Sequence, residues 1–409
     1  MWRRLWAYSG LPREIYILAI AKTVNSLGNF VYPFLTMFLT DYLNLSPAKA
    51  GLTMFMVTVS YVPGSLIGGK LTDKIGRKKV YIICQSLAAL SFIPCAFLGK
   101  SMWIPRFLML ALFFNGGAGP AISAMTADLT NEKNRKSSFS LLYLGSNVGF
   151  AIGTATAGFL YRNYKPIIFL GDAATTLISL VLVGVIIKDT MPSLDKINEG
   201  YGETNKERSE EGNVISILIR RPFLLCFSII SIIAYFVYNQ YSFSTPIYAN
   251  FIFGYNGPKY FGIVMSFTGV IVVLLTSPIT LITRKIKPSI NMSIALIFYA
   301  IGFGSIYYAK NLYLFLLSAL IWTIGEILAA TNSGVYIANH TPISHRGRVN
   351  SIIPLIQGTG EAYSPPIMGR FIQQYGIVMV WPFTFVLGLV GALGMYILYF
   401  VENKLDKKS

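Results

Sequence analysis

The sequence predicts an all-α membrane protein whose twelve transmembrane helices form two pseudo-symmetric six-helix bundles. Three observations predict it. Hydrophobic residues make up 54% of the 409-residue chain and charged residues only 12%, about half the charged fraction of an ordinary soluble domain. At about 20 apolar residues per crossing, and about 34 once a short loop is added, the length accommodates about twelve crossings and no sizeable soluble domain. A shift of 211 residues sets Lys74-Ile75 on Lys285-Ile286, and it also sets Ala127, Thr130, Arg135, Ser140, Gly149, Gly158 and Tyr164 on Ala338, Thr341, Arg346, Ser351, Gly360, Gly369 and Tyr375. One offset holding at two separate places indicates duplication. A duplicated bundle is a transporter plan, with substrate bound near the membrane midplane.

Long apolar runs bounded by short charged loops place the first six crossings at 14–40, 50–71, 78–98, 103–127, 139–161 and 167–187. The second six fall at 222–248, 258–283, 289–309, 312–337, 349–373 and 377–401. The N-terminal Met1-Trp2-Arg3-Arg4 precedes a long apolar run without a small-residue cleavage site, so it reads as the start of a retained helix. Of the 34 lysines and arginines, 25 lie on the N-terminal side of the predicted membrane, 8 lie opposite, and Lys22 lies inside the first crossing. The positive-inside rule then makes both termini cytoplasmic in a multi-pass protein of the cell membrane. Residues 188–221 hold seven acids and six bases with almost no apolar periodicity, which predicts a cytoplasmic linker between bundles at 1–187 and 222–409.

Other function classes are excluded on the same grounds. The net charge of +17 is dispersed among apolar segments instead of forming a face or an arm, so no nucleic-acid partner is expected. Cys84, Cys95 and Cys226 lie in apolar segments without CxxC spacing and read as buried thiols, not as a disulfide framework or a metal site. Gly64 to Lys70 fits G-x-x-x-x-G-K, but Leu71 stands where a phosphate loop needs Ser or Thr, and the glycines lie within a helix. No cofactor is implied. His340 and His345 both fall in a cytoplasmic loop, which leaves no histidine relay through the membrane.

At the turn between the second and third crossings stands Gly69-Lys70-Leu71-Thr72-Asp73-Lys74-Ile75-Gly76-Arg77-Lys78-Lys79. It resembles the G-x-x-x-D-[RK]-x-G-R-[RK] signature of the major facilitator superfamily. Gly69 would allow close helix approach, Gly76 a tight turn, and Asp73 with Arg77 a charged latch. The chain is also similar to the drug/proton antiporters of that superfamily, especially Gram-positive multidrug exporters of the lactococcal type. The stretches Thr126 to Lys136 and Thr323-Ile324-Gly325-Glu326-Ile327-Leu328 carry this likeness, and Gly149-x-x-x-Gly153-Thr154-x-x-Ala157-Gly158 partly fits the antiporter pattern of the fifth crossing. Leu112-x-x-Asn115-Gly116 departs from the R-x-x-Q-G of many antiporters, and Leu142 stands where the lactococcal-type exporter has an acid. Gating is expected at Gly69, Asp73, Gly76, Arg77, Asp128 and Arg135, with Asp128 latching to Arg135 or to the turn before the third crossing.

Ionisable groups inside a bilayer are costly and usually face a cavity. Lys22, Asp172, Glu326 and Glu361 are therefore the candidates for proton coupling. Glu326 lies at mid-depth in the tenth crossing and leads, Glu361 sits at similar depth in the eleventh, and Lys22 serves as a counter-ion or an anion contact. Asn25, Asn29, Tyr32, Asn115, Tyr235, Tyr238, Tyr241, Trp322 and Gln357 join Glu326 as candidate substrate contacts, because the resemblance places their helices around the cavity. Aromatic faces with an acid suit lipophilic cations. The expected function is proton-coupled export of such compounds by a monomer. A dedicated metabolite, sugar or lipid-precursor transporter is the alternative, and a non-transporting receptor or scaffold a more distant one.

Overall fold

The computed structural model describes residues 8–131, 134–190, 221–341 and 346–406, and these are helical with no β-strand among them. The linker expected at 188–221 lies outside the described residues over 191–220. Eight stretches are long and apolar enough to cross a membrane. One of them, Pro222–Thr283, has 62 residues, about three times what a crossing needs, so it supplies two. The first, fifth and eleventh crossings are the more polar remainder.

In chain order the helices are α1 (Arg13–Leu27) and α2 (Val31–Met37), then α3 (Pro47–Val59) and α4 (Tyr61–Ile75), α5 (Arg77–Phe92), α6 (Trp103–Asp128), α7 (Arg135–Leu160) and α8 (Lys165–Ile186). They continue as α9 (Pro222–Tyr238) and α10 (Ser244–Phe253), α11 (Gly257–Thr283), α12 (Pro288–Ser305), α13 (Leu312–His340), α14 (Arg346–Tyr375) and α15 (Val380–Asp406). Three crossings expected as continuous are broken. Proline causes each break: Pro33, Pro63 and Pro246 stand third in α2, α4 and α10. A proline lacks the N–H and its ring collides with the carbonyl four residues earlier. Those carbonyls belong to Asn29, Val59 and Ser242, at or beside each interruption.

Two compact units are seen. The first comprises the helices to α8 together with Ala249–Val273, and the second comprises α9 to Tyr248 and the chain from Leu274. Within the first, α1 packs on α7 and α8, α5 packs on α6 and α8, and α4 packs on α6. Within the second, α9 packs on α14 and α15, and α12 packs on α13 and α15. Counted by crossing, the pairs one–five, one–six, three–four and three–six recur as seven–eleven, seven–twelve, nine–ten and nine–twelve. Repeat-related glycines hold equivalent seams: a Cβ on Gly149 would strike the Thr23 carbonyl oxygen, and one on Gly360 would strike that of Ile232.

The unit boundary departs from contiguous halves at Ala249–Val273, for a steric reason. Gly158 of α7 and Gly262 of α11 lie so close that neither has room for a Cβ, and the Phe34 ring meets Phe261 edge-on at 5.1 Å. The apolar core of the first unit includes Ile15, Leu18, Val80, Ala121, Met125 and Val183. Leu142 belongs to this cluster, so its position is committed to packing. Cys84 and Cys95 are buried as expected, whereas Cys226 is exposed on α9.

Replacing Gly149 or Gly360 with alanine should lower stability by about 1–3 kcal/mol through overpacking, read as a lower melting temperature in detergent. Gly358→Ala, with nothing within 4 Å of its added Cβ, should match or exceed the wild type. Equal melting temperatures for all three would contradict the close helix approach.

Candidate functional site

Glu326 stands fourteen residues after the start of the 29-residue α13, ~21 Å along it and near its middle. Tyr238, from the last turn of α9, lies beside its carboxylate. Tyr238 in turn packs on Tyr241 with ring centroids 4.8 Å apart and on Tyr299 at 5.4 Å. Both Glu326 and Tyr238 keep part of their surface accessible. Phe303 continues this aromatic ladder and stacks on Trp322 at 5.0 Å with rings nearly parallel. Trp322 is 1% exposed: its backbone and Cβ abut Gly302, and its indole packs on Phe303 and Phe315.

Glu361 on α14 is half-buried, and its side chain lies near Tyr235. Its backbone carbonyl accepts from Asn239 Nδ2 at 2.9 Å. Gln357, one turn earlier, is buried and donates to Ser333 Oγ at 3.3 Å. That bond places it at the α13–α14 seam. Sequence reasoning also missed a network at the α9–α10 break. Gln240 donates to Ser364 Oγ at 2.7 Å, Ser244 donates to Gln240 Oε1 at 2.6 Å, and Ser242 donates to Asn239 Oδ1 at 2.7 Å. The signal was available as Asn239-Gln240-Tyr241-Ser242-Phe243-Ser244-Thr245-Pro246, a polar run inside apolar sequence.

In the first unit the α1–α2 break carries the polar residues. Asn25 Nδ2 donates to Thr176 Oγ1 of α8 at 3.2 Å, and Tyr32 Oη lies 3.5 Å from Thr58 Oγ1. Asn29 and, on α6, Asn115 are half-buried. Asp172 of α8 is 8% exposed and accepts from the Val31 backbone N–H at 3.4 Å. It thus satisfies a donor freed where α2 starts, at the positive end of the helix dipole. Lys22 is part-buried and makes no ion pair among the described residues, so the counter-ion role expected of it has no carboxylate there.

The expected gate is partly rearranged. Gly76 has φ 103°, the left-handed conformation its turn requires. Arg77 forms an ion pair with Asp128 at the end of α6, and Thr190 donates to the same carboxylate at 3.1 Å. Asp73 is exposed and forms no ion pair among the described residues. Arg135 is also exposed and donates to the Thr130 carbonyl at 3.5 Å instead of to Asp128. Close helix approach falls to Gly64 and Gly68, whose Cβ positions are filled by the Phe113 and Gly117 backbones, whereas Gly69 has ordinary clearance. The other end of α7 carries a cluster that sequence reasoning did not find. Arg162 donates to Asp41 at 2.7 Å, to the Tyr255 carbonyl at 3.0 Å and to the Gly254 carbonyl at 3.0 Å.

A duplicated helical bundle with broken crossings and intramembrane charges defines a class, the secondary membrane transporter. The sequence profile of the Major Facilitator Superfamily matches residues 18–329 and 291–409, so the chain belongs to that family. It is 25% identical over 373 residues to YttB, an uncharacterized MFS-type transporter of Bacillus subtilis, covering 90% of each. It is 24% identical over 398 residues to a Na(+), Li(+), K(+)/H(+) antiporter of Planococcus maritimus, covering 88% of this chain and 93% of the relative. With the quinolone resistance protein NorA of Staphylococcus aureus it shares 27% identity over 189 residues, 45% of this chain and 47% of NorA. A solved structure of a POT family transporter in complex with 5-aminolevulinic acid shares the fold, with a TM-score of 0.76, 16% identity and 97% of each chain covered.

The Arg77–Asp128 pair generates a test. Arg77→Ala and Asp128→Asn should each slow turnover without loss of membrane expression. In a double-mutant cycle on thermal stability they should couple by about 0.5–3 kcal/mol. Additive effects would show that the two charges act independently.

Proposed function

We propose that this transporter is a proton-coupled exporter of lipophilic, cationic compounds, working by alternating access as a monomer in the cell membrane with both termini cytoplasmic. The observation that carries the reading is the Glu326 carboxylate, which lies beside Tyr238 and its aromatic ladder of Tyr241 and Tyr299. An ionised carboxylate attracts a cation, and aromatic faces add cation–π attraction. A proton arriving at Glu326 removes that charge and releases the cation, and a cation arriving at the opposite membrane face displaces the proton. Competition for one carboxylate therefore couples the two fluxes. At this carboxylate one proton is exchanged for one cationic group. The NorA likeness supports an organic cargo. The Planococcus relative favours a second reading, in which an alkali cation competes for the same carboxylate.

Proteoliposomes with an imposed pH gradient test the proposal. Glu326→Gln keeps size and hydrogen bonding but removes titration, so uphill transport of tetraphenylphosphonium should disappear while binding of neutral compounds persists. Tyr238→Phe should weaken transport without abolishing it, by about tenfold or less, because it removes a polar group beside the charged carboxylate. Glu361→Gln is the comparison. Retained uphill transport in Glu326→Gln, with loss in Glu361→Gln, would move the coupling site to α14. Proton-driven Na(+) or K(+) flux without organic-cation flux would select the second reading.

A further inference from the structure

We propose that Lys22 forms a carboxylate-binding subsite, so that the preferred cargo carries an anionic group. The inference rests on the reading that the chain moves small organic ions, and it narrows their class.

Lys22 is the tenth residue of α1, ~13 Å along the helix from its start. Its direction follows from its neighbours. Ile20, two residues and about 200° away around the helix, is 55% exposed. Ala19 and Thr23 abut Gly145, and Thr23 and Ser26 abut Gly149, all on the α7 side. Asn25 turns to Thr176 on α8. Lys22 therefore lies on the inward side of α1, in a polar stripe that Asn25 and Ser26 continue and Asn29 extends at the break.

The acids of this unit that could neutralise it are engaged elsewhere. Asp172 accepts from the Val31 N–H, and Asp41 pairs with Arg162. Lys22 itself makes no hydrogen bond or ion pair among the described residues. An ammonium held inside a membrane domain without a carboxylate is costly, and it marks a place where charge is supplied from outside the protein. A point charge with three rotatable donors suits a carboxylate approaching in more than one pose. Asn25 and Asn29, a turn or so further on, add neutral donors and acceptors.

A matched pair of dyes tests the inference. Rhodamine 110 has a free carboxylate beside its cationic ring system, and rhodamine 123 is its methyl ester. Binding of each to the purified full chain in detergent is followed by fluorescence anisotropy at neutral pH, for wild type, Lys22→Gln and Lys22→Arg. Wild type should bind rhodamine 110 more tightly. Lys22→Gln should weaken rhodamine 110 by about tenfold or more, the scale of one charge-assisted hydrogen bond, and leave rhodamine 123 within about twofold. Lys22→Arg should retain most of the preference. No preference in wild type, equal losses for both dyes in Lys22→Gln, or an unchanged preference in that variant would each overturn the subsite. If rhodamine 123 binds and is exported but rhodamine 110 is not preferred, the subsite fails while cation export stands. A Lys22-dependent preference without proton-driven transport has the reverse meaning. Binding of neither dye by wild type overturns both.

Discussion

Hydrocarbon does not solvate polar groups, and most of the informative features of this chain follow from that constraint. Pro33, Pro63 and Pro246 break three crossings and free backbone donors and acceptors where no water is available. Each break is tied by a hydrogen bond to a neighbouring helix. Asp172 of α8 takes the Val31 N–H. Ser60 donates to the Met109 carbonyl of α6 at 2.9 Å. Gln240 and Ser364 join α14 to the third break. The prolines are therefore a reason for polar residues inside the bundles, and these polar pairs fix which helices lie side by side.

Intramembrane polar groups thus divide into two kinds. Asp172, Gln240, Ser364 and Gln357 are buried and hydrogen-bonded to neighbouring elements. Glu326, Glu361 and Lys22 remain partly accessible. The first two acids lie near the middle of long helices, and the lysine has no carboxylate among the described residues. The same division holds for aromatic residues: Trp322 and Phe303 stack parallel inside the second unit, whereas Tyr238 lies beside Glu326 and keeps part of its surface accessible. Family membership shows transport. What the cargo is depends on the accessible set, not on the fold.

Hydropathy and the charged loops made the crossings legible, because crossing length and loop charge are set by the bilayer itself. The offset of 211 residues made the duplication legible, and Gly149 and Gly360 show why it persists: each is a seam where two backbones touch. The breaks were less legible. Hydropathy averages over a window and passes smoothly through Pro33 and Pro246, although the position of each proline fixes the broken carbonyl. Partner choice was least legible. That Arg77 takes Asp128 and that Arg162 takes Asp41 depends on contacts more than fifty residues apart in sequence. The packing of Trp322 and Gln357 was not legible either, because type and depth do not reveal which side of a helix faces its neighbour.

The central claim is that a proton and a cation compete for Glu326. Its most direct measurement is proton release on ligand binding. Tetraphenylphosphonium is titrated into the purified protein in weakly buffered detergent across about pH 5 to 8, while the bulk pH is recorded. The account predicts saturable release that follows occupancy in some part of that range and is absent in Glu326→Gln. Saturable binding without release at any pH, or release undiminished in Glu326→Gln, would contradict it.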